Sequence, residues 1–194
     1  MRRVGLFGGT FDPPHLGHLV LAEWARERLR LERVVFMPVG TPPDKRRRDL
    51  TAVAHRVAMT RLAVRGHRAF TVSTLEARRR GPSYTVDTLR ALRRQYPKAR
   101  LYLILGEDRL AGFERWCEPR EIETLATVTV AARPGARRAA ASLPRRVRWL
   151  GNPPLAVSSS ALRARARAGR PLRYLVPDSV ERYVIRHRLY GARP

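Results

Sequence analysis

The chain has 194 residues, of which 44% are hydrophobic and 29% charged, a balance typical of a folded globular domain. Its formal net charge is +24, and most of the basic residues are arginines. Aromatic residues that could stack on bases are not interleaved with these arginines. We therefore interpret the charge as a solvated surface that attracts polyphosphates. The single cysteine, Cys117, excludes an internal disulfide, and no apolar run approaches the roughly 20 residues that span a bilayer, which predicts a cytoplasmic protein without a membrane partner.

Short apolar segments alternate with amphipathic segments along most of the chain. The predicted strands cover residues 3–7, 33–38, 69–74, 100–105, 127–132 and 147–150. Helices are predicted between the first two strands, over 51–65, and from Ser83 as N-cap through Leu92. This alternation predicts an α/β fold, with a Rossmann-like parallel sheet and helices on both faces.

The pattern changes at residue 159. Two helical segments follow, over 161–168 and 179–188, separated by Gly169, Pro171 and Pro177. We therefore expect one domain over 1–194, with an α/β core over 1–157 and a small C-terminal helical cap over 158–194. A homo-oligomer is compatible with this organisation.

The segment between the first predicted strand and the first predicted helix carries the strongest functional signal. It reads GGTFDPPHLGH over residues 8–18, at the position where open parallel sheets bind ligands. Gly8 and Gly9 let the backbone approach a phosphate, and the helix start offers N–H groups to an anion. His15 and His18 share one helix face. Taken singly, these features describe a plain turn with surface histidines, but together they indicate a phosphate-binding site. The segment matches neither the P-loop sequence nor the dinucleotide-binding fingerprint.

The H-x-G-H sequence at 15–18 resembles the signature of the nucleotidylyltransferase superfamily, whose members transfer a nucleoside monophosphate to a phosphate or similar acceptor. Three further segments are similar to bacterial nicotinate-nucleotide adenylyltransferases: SYTVDTL at 83–89, LGED at 105–108 with Trp116 following, and VSSSALR at 157–163. The resemblance extends over nearly the whole chain. It implies transfer of the adenylyl group of ATP to nicotinate mononucleotide, which gives nicotinate adenine dinucleotide and pyrophosphate in NAD biosynthesis.

The resemblance also implies the residues that contact ATP. By resemblance, Ser159, Ser160 and Arg163 hold the β- and γ-phosphates of ATP. Hydroxyls, helix N–H groups and a guanidinium together suit a polyphosphate. The implied ATP-binding residues are Gly8, Gly9, Thr10, Phe11, His15, His18, Ser159, Ser160 and Arg163. The implied catalytic residues are His15, His18, Lys45 and Arg163.

A second set is implied for nicotinate mononucleotide, namely Thr10, Thr85, Gly106, Asp108 and Trp116. By resemblance, Trp116 stacks on the nicotinate ring, Thr85 and nearby N–H groups hold the ring carboxylate, and Asp108 lies at the nucleotide site. From the residues alone, Asp108 is equally a helix cap, and Trp116 is equally a core residue, as we expect of Trp24 and Trp149.

One position departs from the family pattern. Where the family usually has Pro-Pro-His-Lys after the second strand, this chain reads Pro42-Pro43-Asp44-Lys45. The anionic Asp44 is not expected to bind phosphate, whereas Lys45 remains a candidate cation.

The implied reaction is an in-line attack on the α-phosphorus by an acceptor phosphate that is already ionised at neutral pH. Catalysis then requires alignment and charge stabilisation, with no covalent nucleophile. We expect Mg²⁺ as the cofactor, bound mainly through ATP phosphates, and no dedicated protein metal site.

Other interpretations stay open at this point. Pantetheine-phosphate adenylyltransferases and glycerol-phosphate cytidylyltransferases share the first motif, although the segment 83–89, Asp108 with Trp116, and the chain length favour the nicotinate enzymes. A basic nucleic-acid-binding protein and a fragment of a class I aminoacyl-tRNA synthetase are alternatives of a different class. The synthetase fragment is disfavoured because the chain shows no lysine-rich second signature and has little room for a tRNA-binding domain. Nucleic acid is not the expected partner, because runs of charge without interleaved aromatic residues are usually solvated surfaces.

Overall fold

The computed structural model describes residues 2–43, 50–110, 112–132, 144, 147–153 and 155–192. In these ranges the strands form one parallel sheet in the order β3-β2-β1-β4-β5-β6. The strands are β1 (Arg3–Gly9), β2 (Arg33–Pro38), β3 (Phe70–Val72), β4 (Arg100–Gly106), β5 (Thr127–Ala131) and β6 (Val147–Trp149). The helices are α1 (Leu16–Leu29), α2 (Val53–Ala63), α3 (Thr85–Gln95), α4 (Pro119–Leu125), α5 (Ser159–Arg167) and α6 (Asp178–Arg186).

The side chains of the central strands alternate between two hydrophobic cores, one on each face of the sheet. On β1, Val4 and Leu6 join the core beneath α3 and α4, whereas Phe7 joins the core beneath α1. Strands β2 and β4 alternate in the same way. A strand buried on both faces reads as a continuous apolar run, which is why the sequence pattern located these strands.

The chain direction across the sheet reverses between β1 and β4. From β1 the chain proceeds outward through β2 to β3, and it then returns to β4 on the other side of β1. The loops after β1 and β4 therefore diverge at the carboxyl edge of the sheet. This reversal opens a crevice, the usual ligand position in such folds.

The C-terminal helices have a third hydrophobic core of their own. Leu162 of α5 and Val180 and Val184 of α6 pack there with Met59 of α2. This attachment places the start of α5 beside the turn that follows β1. None of the helices in the described ranges combines the length and the apolarity needed to cross a membrane.

The sequence predicted all six strands and five of the helices, with differences at the boundaries. It missed α4, a short helix that begins with Pro119 at its first position, and it placed the N-cap of α3 at Ser83. The structure instead has Tyr84 at the N-cap, while Ser83 is buried. Trp149 is 40% exposed on the edge strand β6, so its assignment to the core was wrong, whereas Trp24 packs against the core beneath α1.

We predict that alanine substitutions at two glycines of β1 have very different effects on stability. A Cβ atom at Gly5 would lie 2.7 Å from Leu31 Cδ1 and 2.9 Å from Ile104 Cδ1, whereas a Cβ atom at Gly8 would meet nothing within 4 Å. Gly5→Ala should lower the free energy of unfolding by about 1–3 kcal/mol through overpacking, and Gly8→Ala should change it by less than about 0.5 kcal/mol. Urea denaturation of both variants measures this difference, and equal losses would contradict it.

Candidate functional site

A cleft of about 880 Å³ lies at the carboxyl edge of the sheet, where the loops after β1 and β4 diverge. Residues from several separate parts of the chain line it, among them the end of β1 with the start of α1, the start of α3, the loop after β4, and the start of α5. The residues predicted for nucleotide binding that line the cleft are Gly8, Gly9, Thr10, His15, His18, Thr85, Gly106, Asp108, Trp116, Ser159, Ser160 and Arg163.

Two predicted residues stand apart from this cleft. The Phe11 side chain is fully buried beneath the turn, where its ring packs edge-on against Phe7, so any ligand contact at this position would come from the backbone. Lys45 lies outside the described residues, as does Asp44.

His15 and His18 lie against each other at the start of α1. Their ring centroids are 3.7 Å apart in a stacked arrangement, and His15 is buried while His18 is partly exposed. The backbone N–H of His15 donates to Nδ1 of His18 at 3.2 Å. Because Nδ1 accepts this bond, the proton of the neutral His18 ring lies on Nε2. Gly17 leaves space for the pair, since a Cβ atom there would lie 3.0 Å from His15 Nδ1.

The three serines at the start of α5 have three different partners. The Ser158 hydroxyl caps the helix by accepting from the Ala161 N–H, and the Ser159 hydroxyl donates to the Pro13 carbonyl at 2.9 Å. Ser160 accepts from the Arg163 guanidinium at 3.3 Å. The start of α5 is thereby fastened to the turn after β1, with its N–H groups at the cleft.

Asp12, in the middle of that turn, is a fully buried carboxylate. Its Oδ1 accepts from the Tyr190 hydroxyl at 2.6 Å, and its Oδ2 accepts from the Thr51 N–H at 3.2 Å. The Asp12 carbonyl also accepts from the Arg163 guanidinium at 2.8 Å. Burial and the neighbouring Asp12 raise the pKa of Tyr190 far above its ordinary value, so this hydroxyl remains a donor.

Arg56 of α2 is only 2% exposed and lies beneath the same turn. Its guanidinium donates to the carbonyls of Thr10 at 2.9 Å, Thr51 at 2.9 Å and Gly40 at 3.2 Å. Burial lowers the pKa of Arg56 below its usual value, and the charge of Asp12 opposes that change. Arg56 therefore connects the ends of β1 and β2 to the segment that leads into α2.

The opposite wall of the cleft combines a helix start with an aromatic side chain. Thr85 is the first residue of α3, so the N–H groups of this helix begin at the cleft. Trp116 is half-buried, packs against the core beneath α3 and α4, and has its ring centroid 5.2 Å from that of Phe113. Asp108 is exposed in a 3₁₀ turn directly after β4. This wall suits a flat ring that carries an anionic substituent.

A buried carboxyl group lines the same side of the cleft. Glu76 accepts from the Thr88 hydroxyl at 2.7 Å, and burial raises its pKa above the ordinary value. The buried Ser83 hydroxyl also lines the cleft and has no hydrogen-bond partner among the described residues. Because burial makes the charged form of Glu76 less favourable than in water, this carboxyl group opposes an anionic ligand less than an exposed carboxylate would.

Sequence reasoning missed Asp12, Arg56 and Tyr190 as residues that shape the site. Asp12 belongs to the quoted motif, but nothing in the motif indicated that its carboxylate points away from the ligand side into the protein. Arg56 is one arginine among many, and Tyr190 lies far along the chain. Arg109 and Arg115 also line the cleft, next to Trp116, without a recognisable sequence pattern.

Comparisons with known proteins agree with this geometry. The cytidylyltransferase-like family model matches residues 6–165. A probable nicotinate-nucleotide adenylyltransferase of Thermomicrobium roseum is 46% identical, with 98% of this chain and 92% of the relative covered. A relative of the same description from Salinibacter ruber is 47% identical, with 96% and 97% covered. The structure of a Plasmodium falciparum nicotinic acid mononucleotide adenylyltransferase complexed with NaAD is similar, with a TM-score of 0.79 over 98% of each chain; at 16% identity this likeness concerns the fold alone.

Tyr190→Phe should destabilise the protein at neutral pH by about 1–3 kcal/mol, because the buried Asp12 carboxylate loses a donor. The tyrosine pKa is raised in the folded state, so its contribution is fully present below the unfolded pKa of 10.0 and is lost as pH rises above it. The stability difference between the wild type and Tyr190→Phe should therefore shrink above about pH 10. Urea denaturation from pH 7 to 11 measures it, and a difference that grows with pH would contradict the assignment.

Proposed function

The chain belongs to the cytidylyltransferase-like family and, within it, to the nicotinate-nucleotide adenylyltransferases, and we propose that it transfers the adenylyl group of ATP to nicotinate mononucleotide. The products are nicotinate adenine dinucleotide, an intermediate of NAD biosynthesis, and pyrophosphate. The observation that carries this proposal is one cleft with phosphate-type groups on one wall and an aromatic residue beside a helix start on the other.

The ATP phosphates are assigned to the wall formed by the turn after β1 and the start of α5. Gly8 and Gly9 allow close backbone approach, and Ser160 and Arg163 provide a hydroxyl and a guanidinium at the start of α5. The N–H groups at the start of two helices, α1 and α5, add positive potential there. The Ser159 hydroxyl already donates to Pro13, so its contribution is to fix α5 to the turn.

The nicotinate mononucleotide is assigned to the wall formed by α3 and the loop after β4. Trp116 offers a ring face for stacking on the pyridine, and the first N–H groups of α3 at Thr85 suit its carboxylate. Asp108 offers an acceptor to a ribose hydroxyl.

The reaction itself requires alignment and charge stabilisation. The acceptor phosphate, ionised at neutral pH, attacks the α-phosphorus in line with the departing pyrophosphate, so no side chain has to remove a proton. His18 Nε2–H is the donor for the phosphoryl oxygens, and the buried His15 ring fixes its orientation by stacking. The cation proposed to balance the pyrophosphate charge is Arg163. Lys45, which lies outside the described residues, is proposed as a second one.

Mg²⁺ is proposed to enter the site on the ATP phosphates. In the part of the chain that the structure describes, no three histidine, cysteine or acidic side chains cluster as metal ligands. The groups on the wall assigned to the ATP phosphates, among them Arg163 and the helix N–H groups, are donors rather than metal ligands, which fits a cation bound chiefly by phosphate oxygens. When bound, Mg²⁺ neutralises phosphate charge.

Small nucleotides rather than nucleic acids are the proposed partners, and the cytoplasm is the proposed location. Part of the positive charge has structural partners inside the protein. Arg93 donates to the carbonyls of Ala99 and Leu125, and Arg90 pairs with Glu118 and Glu121. These arginines are therefore engaged in packing α3 against its neighbours.

The proposal predicts which acceptor is used. With ATP and Mg²⁺, pyrophosphate release should be fastest with nicotinate mononucleotide when nicotinamide mononucleotide and phosphopantetheine are offered in parallel. His18→Ala should reduce turnover at least about a hundredfold, equivalent to about 2.7 kcal/mol of transition-state stabilisation. His187→Ala, an exposed histidine beyond α6, is the matched control and should retain wild-type turnover. Faster turnover with either of the other two acceptors would refute the proposed substrate, and His18→Ala activity within threefold of wild type would refute the role of His18.

Trp116→Ala should separate the two substrates. Loss of the stacking surface should weaken nicotinate mononucleotide at least about tenfold, while ATP affinity stays within about threefold. Trp149→Ala, which removes an exposed tryptophan outside the cleft lining, is the matched control and should leave both affinities unchanged. Isothermal titration calorimetry measures both, and equal weakening of the two ligands by Trp116→Ala would argue against stacking.

A further inference from the structure

Arg56 lies beneath the cleft, and neither the sequence motifs nor the proposed function gives it a role. We propose that Arg56 is a positioning residue that orients the turn after β1 for ATP, an inference that rests on the proposed function. It does not line the cleft and is 2% exposed, so it acts through the backbone that it holds. Its three carbonyl partners, on Thr10, Gly40 and Thr51, belong to three different segments.

The bond to Thr10 determines the direction of the next amide. In a planar trans peptide the carbonyl and the following N–H point in opposite directions. Because the Thr10 carbonyl points to Arg56, the N–H of Phe11 points to the opposite side of this peptide. Among the described residues this N–H has no hydrogen-bond partner. Arg56 therefore fixes the orientation of the peptide that follows Thr10, a residue that lines the cleft on the wall proposed for the ATP phosphates.

The conformation of Phe11 depends on the same restraint. Its φ of 50° is in the left-handed region, which is rare for a bulky residue and needs support from the surrounding structure. The Phe11 ring is fixed from below by Phe7, with ring centroids 5.6 Å apart, and the preceding carbonyl is fixed by Arg56. Without Arg56 the ring remains anchored, but the orientation of the peptide before it is released.

The bond to Gly40 aligns the end of β2 with the turn. The Glu76 backbone lies close to Gly40 on another side, because a Cβ atom at Gly40 would clash with the Glu76 carbonyl oxygen. One guanidinium thus sets the spacing between the loops after β1 and β2. A guanidinium suits this task because its rigid fork directs several donors at once, whereas the ammonium of lysine is a single point of charge.

The test uses Arg56→Met, which removes the charge and all donors at similar length, and Arg56→Lys, which keeps the charge. Calorimetry with ATP·Mg²⁺ and, separately, with nicotinate mononucleotide measures affinity. Arg56→Met should weaken ATP at least about tenfold and nicotinate mononucleotide less than about threefold, with turnover reduced at least about tenfold. Arg56→Lys should recover part of the ATP affinity lost in Arg56→Met.

Leu29→Ala is the control for a merely structural role. Leu29 is buried at the end of α1 that is remote from the cleft, so its truncation destabilises the fold without touching the turn. Urea denaturation shows whether the variants are comparably destabilised. The inference is overturned if a folded Arg56→Met binds ATP within threefold of the wild type, or if it weakens both ligands equally, as a general loosening would.

If Arg56→Met does not fold, Arg56→Lys decides alone, with an expected ATP-selective loss of at least about threefold. Equal loss for both ligands, or none, then overturns the inference. Failure of the proposed function is a separate outcome, because it would appear as a wild type that releases no pyrophosphate with nicotinate mononucleotide. ATP binding to the Arg56 variants needs no acceptor and still decides the role of Arg56 in that case.

Discussion

Two opposite charges buried beneath one turn are the constraint around which the site is organised. Asp12 and Arg56 are both almost completely removed from solvent, and a buried charge is tolerated only when hydrogen bonds replace its hydration. Asp12 obtains them from Tyr190 and the Thr51 amide, whereas Arg56 obtains them from carbonyls that follow β1 and β2 and precede α2. Their partners come from distant parts of the chain, so satisfying the two charges brings together the segments that form the cleft.

The parallel sheet places the turn after β1 at the same edge as the loop after β4. The reversal of strand order between β1 and β4 separates two loops at the same edge, and each loop leads to a different kind of surface. One surface has stacked histidines, glycine backbone and the start of α5. The other has the start of α3 and a half-buried tryptophan. Groups suited to phosphates and groups suited to a flat ring therefore face the same space from opposite sides.

The sequence predicted the strands and the cleft lining because both depend on local signals. Buried strands are continuous apolar runs, and the binding motifs lie directly at strand ends, so the edge of the sheet assembles them without further information. The contacts of Arg56 and Tyr190 depend instead on how α2 and the C-terminal segment pack, and no periodicity distinguishes these residues from their neighbours. Trp149 is an example of a residue whose burial was predicted wrongly from its hydrophobicity. It lies on β6, the edge strand of the sheet, and is therefore 40% exposed.

The bond between Asp12 and Tyr190 joins residues that are 178 positions apart in the chain. During translation Asp12 leaves the ribosome long before Tyr190. Until Tyr190 is synthesised, its hydroxyl cannot donate to the Asp12 carboxylate, although all the strands of the sheet have been synthesised by then. The cleft acquires its final shape only after the tyrosine has emerged and closed over that carboxylate. A chain that ends before Tyr190, even one with a complete sheet, therefore leaves the buried Asp12 carboxylate without this donor.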